Sequence, residues 1–213
     1  MFKNIFSRQA KVGREEDTAM PYSAEHKVRT RERIVESARR LFNRHGFEQV
    51  SIDQIMAEAG LTRGGFYNHF DSKDQLYAAA VSSFTSCNPF VVKAAAGKVP
   101  LDRPRDMARM LVELYLSDEV LADVDLHCPL YALPADVARA GLSPQQAYTD
   151  LIRGMEHVYR SALPDTQEAR GRAQAMVSLC VGGMVLARTT NDPLLRKSLR
   201  EAARRQALAL LQD

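Results

Sequence analysis

The run from Ser51 to Phe70, SIDQIMAEAGLTRGGFYNHF, decides the fold. Ser51 and Gln54 stand at the N-cap and N3 spacing of a capping box, which ties off the free amides of a new helix. Ile52, Ile55, Met56 and Ala59 then recur every three or four residues and give that helix one apolar face. Gly60 can take the left-handed conformation that ends it, with Leu61 folding back on Met56. Thr62 is placed to cap a second short helix, from Arg63 to about His69. Residues 47–70 therefore read as helix, tight glycine turn, helix. In that unit the first helix crosses a DNA backbone while the second enters the major groove. Gly64 and Gly65 each cost roughly 1 kcal/mol against alanine inside a helix. A helix that tolerates both needs its backbone close to something bulky, and a DNA strand or a neighbouring helix would each qualify.

Upstream, Ile34, Val35, Ala38, Leu41 and Phe42 mark one apolar face of a longer helix from about His26, with Gly46 as its stop and Phe47 able to fold back on Phe42. Arg29, Arg31, Arg33, Arg39, Arg40 and Arg44 are assigned to the opposite face. Residues 1–24 hold no lasting period and mix Lys3, Arg8, Lys11 and Arg14 with Glu15, Glu16 and Asp17. They read as a disordered tail, with Met20 as an alternative translation start and a basic arm towards DNA as a third reading.

Downstream the pattern stays helical. Ser72-Lys73-Asp74-Gln75 is a second capping box, opening a helix through Leu76, Tyr77, Ala80, Val81 and Phe84. A further helix is expected from Asp102-Arg103-Pro104, carrying Met107, Met110, Leu111 and Leu114. Pro129, Pro134, Gly141 and Pro144 punctuate a connecting region with a short helix near 135–140. Long helices follow over 145–163 and 166–190, and a last one runs from Pro193. No strand alternation is visible. The expected fold is all-α: a three-helix head over 25–71 on a larger helical ligand-binding and dimerisation body over 72–213.

Composition fits this without deciding it. The chain of 213 residues is 46% apolar and 26% charged, and its formal net charge of +3 makes no case for a nucleic-acid partner. Location does: Lys27 and the six arginines of 29–44 face only Glu32 and Glu36. Cys87, Cys128 and Cys180 are odd in number and far apart, which suits a reducing cytoplasm rather than a disulfide framework. The longest nearly apolar run, 175–187, is too short to span a bilayer, so no membrane partner is expected. The five histidines fall at no metal-ligand spacing, and no phosphate loop or nucleophile motif occurs. No catalytic residue, metal or cofactor is expected.

From Arg31 to Leu76 the chain resembles the DNA-binding domain of the TetR family. The likeness is carried by Ala38-Arg39-Arg40-Leu41-Phe42, Gly46-Phe47, Ser51-Ile52-Asp53-Gln54-Ile55, Ala59 through Phe70, and Lys73. It implies that Arg63 reads base edges, guanine being its best bidentate partner. It further implies that Ser51 and Thr62 meet phosphates at helix N-termini and that Tyr67, His69 and Lys73 grip the backbone. Gly64 and Gly65 would permit close approach. Tyr67 and His69 could instead pack on the first helix, while Phe66 and Phe70 belong to the core. The family likeness also implies a regulator, most simply a repressor, that binds a palindromic operator in double-stranded DNA as a homodimer and is released by a small-molecule effector.

The body offers less. Met107, Met110 and Met155 suit an adaptable pocket, though each is equally at home as plain core. Cys128, in a break between helices beside His127, is a candidate reactive thiol if His127, Arg139 or Arg188 lowers its pKa, against the alternative of a small apolar residue. Dimerisation is expected on the two long helices 145–163 and 166–190, with Gly182 and Gly183 allowing close approach and Met176, Leu179, Val185 and Leu186 filling the seam. A DNA organiser with the same head and no ligand is the rival reading, and it would lack a cavity.

Overall fold

The computed structural model describes residues 24–98 and 102–212. The expected tail, apart from Ala24, and the alternative start at Met20 lie outside the described residues. Eleven α-helices and two short 3₁₀ segments make up the described chain, with no strand among those residues. The head contains α1 (Ala24–His45), α2 (Ile52–Glu58) and the 3₁₀ turn Arg63–Asn68. The body contains α3 (Lys73–Cys87), α4 (Pro89–Ala95), α5 (Pro104–Tyr115), α6 (Asp118–Ala122), a 3₁₀ turn at Val124–Leu126, α7 (Pro129–Ala132), α8 (Pro134–Arg139), α9 (Leu142–Arg160), α10 (Gln167–Thr189) and α11 (Pro193–Ala209).

Local chemistry explains the boundaries. Gly46 (φ +79°) ends α1, its amide donating to the Phe42 carbonyl at 2.8 Å, and Phe47 returns to Phe42 with ring centroids 5.7 Å apart. Thr166 and Asp192 cap α10 and α11 with their side-chain oxygens. The second capping box is only half formed. Ser72 accepts from the Gln75 amide, but the Gln75 side chain reaches the Asp71 amide instead of that of Ser72.

One core runs through head and body, because α3 packs on α1 with one side and on α9 with the other. The domain boundary expected after residue 71 falls at the N-cap of this shared helix. Arg39, expected on the outer face of α1, is buried instead. Its guanidinium pairs with Glu36 at 2.9 Å and donates to the Asp125 carbonyl, which satisfies the charge away from water. No helix among the described residues is long and apolar enough to cross a membrane.

Candidate functional site

The capping box of α2 forms as a reciprocal pair: the Gln54 amide donates to Ser51 Oγ at 3.2 Å and the Ser51 amide to Gln54 Oε1 at 2.8 Å. The Ser51 hydroxyl is itself spent on Gln54 at 3.0 Å, so capping and not a phosphate engages it here. Gly60 (φ +66°) turns the chain, and the Leu61 amide closes back on the Met56 carbonyl at 2.8 Å. The next segment is a 3₁₀ turn where an α-helix was expected. Its bonds span three residues, from the Gly65 amide to the Thr62 carbonyl and from the His69 amide to the Phe66 carbonyl. Two adjacent glycines hold a regular α-helix too weakly to enforce the wider turn. Thr62 occupies the N-cap position, but its side chain makes no capping bond.

Phe66 and Phe70 anchor this turn from below, fully buried with centroids 5.9 Å apart. Thr62, Arg63, Gly64 and Tyr67 face outward, while Gly65, His69 and Lys73 are half-buried. A Cβ on Gly64 would meet nothing within 4 Å, and one on Gly65 only the Met56 methyl at 3.6 Å. No neighbouring helix demands either glycine, so the close approach that they allow is open to a body outside the chain.

The charges converge on this surface. Arg63 rests on Asp53 at 2.7 Å with both side chains more than half exposed, an interaction worth roughly 0–1 kcal/mol. A stronger acceptor can displace it. His69 sits below the usual histidine range, first because it is partly buried and then because Lys27, Arg31 and His26 surround it with positive charge. Arg31 also lies 4.6 Å over the Phe70 ring. Lys27 and Arg31 thus belong to the candidate interface, and sequence reading placed them only on a generic basic face. Lys73 is held inward: its ammonium donates to the Phe47 carbonyl at 2.5 Å and stands 4.1 Å above the Phe47 ring. Burial, the largest cause, lowers its pKa.

In the body, α3, α4, α5, α6, α7 and α9 line a half-open cavity of about 280 Å³. Met155 and Cys128 line it; Met107 and Met110 do not, because α5 turns Ala108, Val112, Leu114 and Tyr115 inward. Cys128 is not an activated thiol. Burial pushes it up to about 12, and neither Arg139 nor Arg188 reaches it: Arg139 pairs with Asp136, and Arg188 bonds carbonyls. The His127 ring also turns away, onto the Leu121 carbonyl at 3.0 Å. Thiolate chemistry needs a depressed pKa, and this site provides the opposite.

The cavity wall continues into a polar joint with the head. Between Val120 and Cys128, both on the wall, the backbone of Asp125 and His127 is gripped by α1. Arg39 takes the Asp125 carbonyl, Asn43 takes the His127 carbonyl at 3.0 Å, and Arg44 meets the Asp125 carboxylate at 2.6 Å. Arg188 spans the same joint from α10, donating to the Asn43 carbonyl at 3.0 Å and the Ala132 carbonyl at 2.7 Å.

The residues expected at a dimer seam divide. Met176 is fully buried and Gly183 lies against Ala203 of α11, so both pack inside one subunit and are unavailable to a partner. Leu179, Gly182 and Val185 are half-buried, and Leu186 is exposed. The apolar stripe of α9 packs on α3, α5, α7 and α10, leaving Leu142, Gln146, Asp150, Arg153 and His157 outside. The exposed apolar residues continue instead onto α11, at Leu194 and Leu195.

Residues 34–80 match the family described as bacterial regulatory proteins, tetR family. The transcriptional regulator TtgR of Pseudomonas putida is 29% identical over 86 residues, 40% of this chain and 41% of that protein, so the likeness spans less than half of such relatives. Likeness of fold runs further. A TetR-family regulator from Cytophaga hutchinsonii superposes with a TM-score of 0.69 at 19% identity, over 86% of this chain and 95% of that one. The multidrug binding protein EbrR, solved with imidazole, superposes with a TM-score of 0.57 at 24% identity, over 83% of this chain and 93% of its own.

Proposed function

The chain belongs to the TetR family of bacterial regulatory proteins, and we propose that it is a transcriptional repressor. It would bind a palindromic operator in double-stranded DNA as a homodimer and release it when a small molecule enters the body. The observation that carries this reading is the turn Arg63–Asn68, which roots itself through Phe66 and Phe70 and presents Arg63, Gly64 and Tyr67 outward. One such turn reads too few base pairs for specificity, so two related by a two-fold axis are needed. The exposed leucines of α10 and α11 suit that pairing as a four-helix bundle, in which Leu186, Leu194 and Leu195 would lose their contact with water. Domain assignments follow: a DNA-reading head to residue 71, and a sensing and dimerising body from 72.

The rival, an organiser that binds DNA without a ligand, has no use for an apolar cavity in the body, and the half-open cavity among α3–α7 and α9 favours sensing. EbrR, similar in fold, is described as multidrug binding, which supports the same view. The test is selection of operator DNA from a random pool with the full chain, followed by Arg63→Ala. A palindrome should emerge, and the variant should lose about 1–3 kcal/mol of binding and relax preference at one symmetric pair of positions. Unchanged affinity and footprint would remove Arg63 as the reading residue.

A further inference from the structure

We propose that Asn68 is a second base-reading residue, and that it recognises adenine in the major groove about three base pairs from the position read by Arg63. The inference rests on the DNA-binding function above and names a side chain that supplies part of its sequence preference.

The turn Arg63–Asn68 sorts its own side chains. In a 3₁₀ helix residues three apart eclipse one another, so the turn has three edges. Arg63 and Phe66 share one, which Phe66 sinks into the core while the longer Arg63 escapes onto Asp53. Gly64 and Tyr67 share the second, and Gly65 and Asn68 the third. Each of these two edges opens with a glycine and carries a single side chain one turn later. Tyr67 and Asn68 are both exposed, and no side chain at 64 or 65 shields them from a body lying against the turn.

Among the described residues, nothing uses the Asn68 side-chain amide. Asn43 and Asn88 show the contrast. Asn43 Nδ2 donates to the His127 carbonyl at 3.0 Å, and Asn88 caps α4 by accepting from the Val91 amide at 2.9 Å. The backbone does not demand asparagine either. The turn closes at His69, with φ −124° and its amide on the Phe66 carbonyl at 2.9 Å, so no left-handed residue is needed there. An amide presents a donor and an acceptor side by side. Adenine alone shows the complementary pair on its major-groove edge, N7 accepting from Nδ2 and the N6 amino group donating to Oδ1. A phosphate engages only the donor and sets the Oδ1 dipole against its own charge, so it is the poorer partner. Arg63 and Asn68 stand at opposite ends of the turn, separated by about 10 Å at about 2.0 Å per residue. That distance covers about three base-pair steps of about 3.4 Å.

The test selects operators from a random pool with the full chain, Arg63→Ala and Asn68→Ala, then measures affinities on the selected site by fluorescence anisotropy. The parent should select adenine at one symmetric pair of positions and bind it about five- to 150-fold more tightly than guanine there. Asn68→Ala should accept any base at that pair, hold the two operators within about threefold of each other, and keep the preference that Arg63 supplies. Replacing that adenine by 7-deazaadenine, which lacks the N7 acceptor, should weaken the parent about three- to tenfold and leave Asn68→Ala within about twofold. Since the amide supports nothing in the fold, the variant should keep the parent's circular dichroism and melting temperature; the 7-deazaadenine measurement on the parent needs no variant at all. A parent indifferent to base or to N7 at that pair would overturn the proposal. So would equal loss on every sequence in Asn68→Ala, which marks a backbone contact, or relaxation at the pair that Arg63→Ala also relaxes. A parent that selects no palindrome sinks the DNA-reading function itself, whereas a palindrome whose adenine preference survives in Asn68→Ala removes only the role of this residue.

Discussion

Replacing Arg188 with methionine probes the joint between head and body. The last turn of α1 has carbonyls without intrahelical partners. The Phe47 amide, which would have served the Asn43 carbonyl had the helix continued, goes to the Asp136 carboxylate at 3.3 Å. Arg188 fills that vacancy at 3.0 Å and takes the Ala132 carbonyl at 2.7 Å with its other nitrogen. A hydrogen bond from a charged donor is worth roughly 1.5–3 kcal/mol. Methionine keeps the packing of the stem and removes both donors. Because Arg188 is half-buried, water replaces part of what is lost, and the cost should be roughly 2–3 kcal/mol in total. In a chain of this length 1 kcal/mol moves the melting temperature by roughly 2–4 °C, so a fall of about 5–10 °C is expected. Arg188→Lys can serve one carbonyl and should lose about half as much. Hydrogen exchange locates the damage: amides at the end of α1 should exchange faster, while those in the middle of α10 keep their protection. A variant that melts within about 2 °C of the parent with unchanged exchange at α1 would refute this account of the joint.

Gly60→Ala should cost about 1–2 kcal/mol from left-handed backbone alone, whereas Gly46→Ala should cost about 1 kcal/mol more, since its Cβ would stand 3.1 Å from Asp136 Oδ2; urea unfolding of both variants measures the difference. Leu186→Arg, at a site already exposed in the subunit, should leave helix content intact and convert dimers to monomers in sedimentation, and a dimer that persists would move the interface elsewhere. Iodoacetamide should label half-buried Cys87 in the folded chain and reach Cys128 and Cys180 only as fast as the chain opens; rapid native labelling of Cys128 would restore the reactive-thiol reading. Both buried thiols are pushed up to about 12 from an ordinary value of 9.0, so the folded chain keeps protons that the unfolded chain releases. Their contribution to stability is complete below about pH 9 and is lost as pH rises towards 12, which denaturation across that window should register.

The head was legible because each of its devices is local. A serine three residues before a glutamine, a glycine after an apolar period, and a phenylalanine after that glycine dictate their own geometry, and Ser51, Gly46, Gly60 and Phe47 behave accordingly. The reading failed where two local rules met. Gly64 and Gly65 lie inside an apolar helical pattern, and the backbone settles the conflict with a 3₁₀ turn. The body was legible as helices and not as a site, since cavity and joint are built from residues far apart in the chain. Arg39 looks like one more surface arginine until the Asp125 carbonyl arrives from 86 residues away. Met107 and Met155 are the same residue type on amphipathic helices, and only the rotation of α5 against α9 puts one on the cavity and leaves the other off it.

That distant pairing decides how the two halves can move. The segment from Val120 to Leu130 walls the cavity at both ends and offers its middle, Asp125 and His127, to α1. A ligand that pushes the wall outward by a fraction of an ångström meets a choice between two costs. Breaking the grip of Arg39 and Asn43 would leave Arg39 its Glu36 pair but rob one guanidinium nitrogen and a buried amide of their acceptors, at roughly 1–3 kcal/mol each. Carrying the head along with the segment breaks neither, and the contacts it strains are apolar ones that slide without losing direction. The second is cheaper, so α1 should follow the wall as a rigid body. The turn proposed to read bases hangs on α1 through the Phe66 and Phe70 core and through Arg31 over the Phe70 ring. A displacement begun at Cys128 would then be felt at Arg63 with no change in the fold of the head, and in the proposed dimer it would alter the spacing between the two turns.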